Sequence, residues 1–123
     1  MCGLIFLHAP EMHQSESQRT ALNALDALKH RGPDALQLKT SGLAVLAHAR
    51  LSIVGLNDSH QPMSSPDGRY TLIFNGEIYN YRELRSELAK HWTFQTQGDT
   101  EVLLAGLILR NCRFLESLSG MWA

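Results

Sequence analysis

Apolar residues run unbroken from Leu4 to Leu7, long enough for a buried strand and too short for a helix. Ala21, Leu22, Leu25 and Leu28 then recur at helical intervals, and Ser15 with Gln18 has capping-box spacing, so a helix is predicted up to His30. Gly32-Pro33 stops it, glycine serving the cap and proline forbidding continuation. A hairpin follows, with Leu36 to Thr40 and Leu43 to Ala49 flanking the turn residues Ser41-Gly42. Leu51 to Val54 extends its second strand past Arg50, and residues 55–68, rich in proline, glycine and short polar residues, read as loop. Tyr70 to Phe74 reads as a strand, Asn75-Gly76 as a type I′ turn and Ile78-Tyr79 as the returning strand. Asn80 and Glu83 are spaced to cap a helix carrying Leu84 and Leu88 on one face. Phe94 to Thr96 is predicted as a short strand, Gly98-Asp99-Thr100-Glu101 as the start of a helix through about Asn111, and Leu118 to Ala123 as a final strand.

The order strand, helix, hairpin, hairpin, helix, helix, strand predicts an α+β fold, with antiparallel sheets and helices on their outer faces. At 123 residues the chain is one domain or part of one. A formal charge of -1 gives no electrostatic footprint for nucleic acid or membrane, so partners are expected to be small or proteinaceous. The longest apolar run, Val102 to Leu109, falls short of the ~18 residues of a membrane span, and no signal-peptide pattern opens the chain, which points to the cytoplasm. In that reducing setting Cys2 and Cys112 are both expected as free thiols, Cys112 as inert core. The histidines show no His-x-x-x-His pattern and the cysteines no Cys-x-x-Cys pattern, so no metal site is expected.

Chemistry enters at Met1-Cys2-Gly3. Removal of Met1 would give one residue both a thiol, titrating near about 8.5, and an α-amine near about 7.7 to 8.0, so nucleophile and base come as a unit. Taken alone, a cysteine at position 2 is usually just a residue at a frayed terminus. Asn75-Gly76 has a second reading besides the turn, as an amide and a backbone N–H aimed at a developing oxyanion. Arg50 is a strand-end charge or a bidentate grip for a carboxylate. Asp99 is a helix N-cap or, if Thr100 caps, a carboxylate free to receive an ammonium group. Glu77 is the next carboxylate in reach, and in isolation reads as a solvated turn residue.

These signals combine with Arg31-Gly32-Pro33-Asp34, His48-Ala49-Arg50-Leu51-Ser52-Ile53, Gln61-Pro62-Met63, Phe74-Asn75-Gly76-Glu77-Ile78-Tyr79-Asn80-Tyr81, Gly98-Asp99-Thr100-Glu101 and Ser119-Gly120-Met121-Trp122-Ala123. In that order, the chain resembles from end to end the class II glutamine amidotransferase domain of asparagine synthetases, an N-terminal-nucleophile hydrolase. The resemblance implies a four-layer αββα sandwich of antiparallel sheets and hydrolysis of L-glutamine to glutamate and ammonia through a Cys2 thioester. Cys2 would be the nucleophile, Asn75 and Gly76 the oxyanion hole, Arg50 the holder of the substrate α-carboxylate, and Glu77 and Asp99 the receivers of its α-ammonium. Gly98 departs from the serine or cysteine of many members. The family's domain also continues beyond the serine-glycine-methionine strand, so the chain is expected to be an N-terminal part, without the synthetase domain that binds ATP and magnesium. No cofactor is expected within residues 1–123, a homodimer stays open, and aspartate is the default ammonia acceptor, with sugar or peptide acceptors as alternatives. A non-catalytic glutamine-binding or assembly remnant is the competing function.

Overall fold

Strand β1 (Gly3–His8) pairs antiparallel with β3 (Ala44–Arg50), which pairs antiparallel with β2 (Ala35–Ser41). The computed structural model describes residues 2–51 and 59–123. The β2–β3 hairpin turns at Gly42, whose φ of 58° lies where a Cβ is disfavoured. Side chains alternate across β3, so Val45, Ala47 and Ala49 face one side and Leu46, His48 and Arg50 the other. Helix α1 (Gln14–Ala27) lies on the first side, where Leu25 packs on Ala47 and Ala49 with Ile5, Leu28 and Leu38 around it. The two alanines leave room for that helix to approach closely.

The opposite face of this sheet turns toward a second set of elements. Short strands β4 (Met63–Ser64) and β5 (Thr71–Leu72) pair with each other, and β6 (Gly76–Ile78) pairs with β7 (Gly120–Trp122), all antiparallel. Helices α2 (Tyr81–Leu88) and α3 (Asp99–Arg110) bury Leu84, Leu88, Val102, Leu103 and Ala105 against Phe74, Ile78 and Phe114. Gly106 lets α3 accept the Phe114 ring, which a methyl at that position would overlap. Lys39 of β2 donates to the Ser64 hydroxyl, and Ser64 bonds Thr71 at 3.0 Å, which ties the three-stranded sheet to the β4–β5 ribbon. The α+β class and its antiparallel sheets agree with the expectation from the sequence.

Several local expectations are replaced by long-range contacts. Asn75-Gly76 is not a hairpin turn, since β5 pairs back to β4 and β6 pairs forward to β7. Its glycine serves close approach instead, because a methyl at Gly76 would overlap the Met121 carbonyl. Neither capping box forms: α1 begins after His13, Gln18 Nε2 donates to Thr40 Oγ1 at 2.9 Å, and Asn80 bonds Ser117 O and Ser119 N, both at 2.9 Å. The chain from Leu28 to His30 leaves the α-helix for a 3-10 turn, Lys29–Arg31. Residues 94–96 form no strand, because the Glu101 carboxylate takes the N–H groups of Gln95 and Thr96 that a sheet would use. Part of the expected loop is β4. Cys112 is exposed on the 3-10 segment Asn111–Ser117 rather than buried. The continuation of β3 through residues 52–54, the start of the loop at 55–58, and Met1 lie outside the described residues. Among the described residues no helix is long and apolar enough to cross a membrane.

Candidate active site

A cavity of about 430 Å³ opens where β1 and β3 meet the β5–β6 connection and the start of α3. Cys2, Arg50, Asn75, Gly76, Glu77 and Asp99 all line it, so the structure brings together every site residue expected from the sequence. Strand alternation accounts for half of this. Gly3 pairs with Ala49 and faces α1, where its missing Cβ spares the Leu28 side chain, so Cys2 falls on the other face with His48 and Arg50.

Cys2 is held through both ends of its backbone. Its N–H donates to Asn75 Oδ1 at 2.9 Å, and its carbonyl accepts Arg31 Nε at 3.2 Å. The thiol contacts the Leu51 backbone, with the N–H of Leu51 3.3 Å from Sγ. Arg31 reaches Cys2 because Gly32 lies flat against β3, where any Cβ would overlap the Ala49 carbonyl, and because Asp34 N–H donates to Arg50 O at 3.0 Å. The Arg31-to-Asp34 motif therefore moors β1 to β3 at the thiol.

The bond to Cys2 fixes which end of the Asn75 amide is oxygen, and leaves Nδ2 as the donor end for a ligand. Asn75 exchanges both backbone hydrogen bonds with Ala123, at 2.9 and 2.8 Å. In an antiparallel ladder the next pair, Gly76 with Trp122, is then a non-hydrogen-bonded one, and the Gly76 N–H points away from β7. Ile78, two residues on, has the same orientation, and its N–H donates to Asp99 Oδ2 at 3.1 Å. The open side of β6 thus carries one N–H occupied by Asp99 and another, from Gly76, beside the Asn75 amide.

Arg50 and Asp99 are each 6% exposed, opposite charges buried on one cavity. Burial pushes the Asp99 carboxyl above the ordinary range; the N–H groups of Ile78, Asp99 and Thr100 pull it back, and the Glu77 carboxylate pushes it up again. Asp99 is the first residue of α3 rather than its cap, a position taken by Gly98. Glu77 is half-buried on β6. Burial lowers the His48 imidazole to about 4; the Phe74 carbonyl resists this and the Arg50 charge adds to it, so the ring is neutral at neutral pH. His48, Gln61, Leu51 and Arg31 received no role from sequence reasoning. Their signal was a polar residue inside an otherwise apolar strand for His48, and motif membership for the others. Among the described residues no group of three or more histidine, cysteine, aspartate or glutamate side chains is arranged to hold a metal ion.

A family model for a glutamine amidotransferase domain matches residues 1–123. The chain is 38% identical over 123 residues to asparagine synthetase B (glutamine-hydrolyzing) of Escherichia coli, an alignment covering 100% of this chain and 22% of that protein. It is 39% identical over 126 residues to asparagine synthetase (glutamine-hydrolyzing) 1 of Bacillus subtilis, covering 100% of this chain and 20% of that one. A probable asparagine synthetase (glutamine-hydrolyzing) of Schizosaccharomyces pombe is 38% identical over 104 residues, 85% of this chain and 19% of the relative. The chain thus spans about a fifth of the length of the curated relatives it matches.

Proposed function

The chain belongs to the glutamine amidotransferase domain family, and from that premise we propose that it hydrolyses L-glutamine to glutamate and ammonia through a Cys2 thioester. The observation that carries this reading is the convergence on one cavity of a thiol, two oxyanion donors and a buried pair of opposite charges. Removal of Met1 turns the Cys2 N–H into an amine, with Asn75 Oδ1 as its acceptor. That amine takes the thiol proton as Sγ attacks the substrate carboxamide carbon, and the proton leaves with ammonia when the C–N bond breaks. Asn75 Nδ2 and Gly76 N–H receive the oxyanion of each tetrahedral intermediate. Water then attacks the thioester, and glutamate is released with the thiol restored. Arg50 takes the α-carboxylate, while Asp99 and Glu77 take the α-ammonium.

The packing of α1 on one sheet and of α2 and α3 over the shorter strands supports a four-layer αββα arrangement. The names of the relatives support asparagine synthesis as the destination of the ammonia. In that scheme ATP and magnesium serve a synthetase region that activates aspartate, and this segment uses neither. The test is incubation of the protein with glutamine, following glutamate and ammonia in equal amounts, beside Cys2→Ala. Hydrolysis lost in Cys2→Ala with glutamine binding retained is the expected result. Binding without hydrolysis by the parent protein would favour a glutamine-binding remnant, and undiminished hydrolysis in Cys2→Ala would refute the thioester.

A further inference from the structure

Phe74, the residue before Asn75, lies between β5 and β6 and is only 3% exposed, yet its backbone is paired with no strand among the described residues. Two buried side chains take over that task. Gln61 Oε1 accepts the Phe74 N–H at 2.6 Å, while Gln61 Nε2 donates to Thr100 Oγ1 at 3.3 Å. His48 Nε2 lies 3.2 Å from the Phe74 carbonyl, and since a carbonyl only accepts, the ring holds its proton on Nε2. Nδ1 of the same ring is buried and has no partner among the described residues. His48 and Gln61 are 1% and 6% exposed, so each is a polar side chain desolvated beside Phe74, Gln61 at the N–H of the peptide before it and His48 at the carbonyl of the peptide after it.

The Phe74–Asn75 peptide is consequently gripped at both polar atoms, its carbonyl by His48 and its N–H by the Ala123 carbonyl at 2.9 Å. With the Asn75 carbonyl held by the Ala123 N–H at 2.8 Å, the following peptide plane is anchored as well, and the two planes together set where the Asn75 side chain leaves the backbone and where the Gly76 N–H points. We propose that His48 and Gln61 are positioning residues that hold the oxyanion donors Asn75 and Gly76 in register with the Cys2 thiol, an inference that rests on the glutaminase reading above. Neither side chain exchanges a proton with substrate. Their contribution appears when the oxyanion forms, because a donor displaced by about 1 Å can cost on the order of a hundredfold in rate while ground-state contacts made elsewhere persist.

The experiment compares His48→Gln, whose amide N–H reaches the place of Nε2, with His48→Asn, whose amide is too short, and adds Gln61→Leu. Steady-state hydrolysis is measured with affinities for glutamate and for the γ-aldehyde analogue of glutamine, which adds to the thiol and puts an oxyanion in the hole. His48→Asn and Gln61→Leu should lower kcat by roughly 10- to 100-fold with KM changed less than about threefold. They should weaken the aldehyde in parallel with kcat and leave glutamate affinity unchanged, and His48→Gln should recover most of the loss. Equal kcat in all variants, or parallel loss of aldehyde and glutamate, would overturn the proposal by showing no effect or a merely structural one. If His48→Asn does not fold, Gln61→Leu and His48→Gln decide by the same split. No hydrolysis by the parent protein would instead remove the glutaminase reading itself, and the reaction these residues serve with it.

Discussion

At the scale of single residues, Asp99 and His48 titrate in opposite senses and their consequences separate by pH. Asp99 has a raised folded value, so its contribution to stability is greatest when it is protonated and is lost as pH rises through that value. Its ionised form therefore opposes folding, and in the proposed scheme the substrate ammonium offsets that cost. Asp99→Asn, which keeps an acceptor for the Ile78 N–H, should raise the thermal midpoint of the ligand-free protein at pH 7 while weakening glutamine binding; a lowered midpoint would contradict this account. His48 is depressed from 6.5 to about 4, so the unfolded chain takes its proton first. Stability is full above about pH 6.5 and falls as pH drops toward 4, by up to roughly 3 kcal/mol. Denaturant midpoints between pH 7 and 4.5 should show this slope, and His48→Gln should flatten it. Asn75→Ala should lower kcat by about a hundredfold to a thousandfold. Arg50→Ala should weaken glutamine binding by on the order of 2 to 5 kcal/mol, since in the proposed scheme it leaves a substrate carboxylate without its partner. Turnover and calorimetric affinity distinguish the two.

Elements differ in how much of them could be read from the chain. Strand β1, the β2–β3 hairpin and the three helices follow from local patterns, because each is specified by residues a few positions apart. The pairing of β4 with β5 and of β6 with β7 was hidden, since strands of two or three residues carry no period and β7 lies over forty positions from its partner. Asn75-Gly76 shows the mechanism of the error: glycine answers equally to a turn and to a neighbouring backbone that leaves no space, and only the fold tells which. The six residues that meet on the cavity were legible through their motifs, whereas the clamp on Phe74 was not, because His48, Gln61 and Phe74 share no spacing. Close packing gives the element-scale prediction. Gly106→Ala should cost about 1 to 3 kcal/mol by forcing Phe114 off α3, and Leu25→Ala about 2 to 5 kcal/mol by opening a void under α1. Chemical denaturation measures both, and a neutral Gly106→Ala would mean that the 3-10 segment yields freely.

At the scale of the whole molecule, two apolar clusters stand out among the described residues: one under α1, the other among α2, α3 and Phe114. The cavity lies between the elements that carry them, with Cys2–Asn75, His48–Phe74 and Lys39–Ser64 crossing from one to the other. In the proposed scheme a ligand held by Arg50 on β3 and by Asp99 on α3 adds a further crossing. Glutamine or a thiol-trapping analogue should therefore slow hydrogen exchange in both β3 and α3. A saturating ligand at about a hundred times its Kd should stabilise the fold by about 2.7 kcal/mol. Protection confined to one side would mean that only one end of the substrate is gripped. Labelling with a thiol reagent should modify exposed Cys112 before half-buried Cys2, and Cys112→Ala should leave hydrolysis unchanged.

Asn75 is bonded through its side chain to Cys2 and through its backbone to Ala123. During synthesis the nucleophile emerges from the ribosome first and its oxyanion donors some seventy residues later, but the strand that braces those donors appears only when residue 123 has cleared the exit tunnel. A nascent chain in the proposed scheme cannot consume glutamine, however early its thiol is exposed. In that scheme hydrolysis waits for β7, and ribosome-bound chains should be silent while Gly120–Trp122 is still inside the tunnel and active once an added C-terminal linker carries it out.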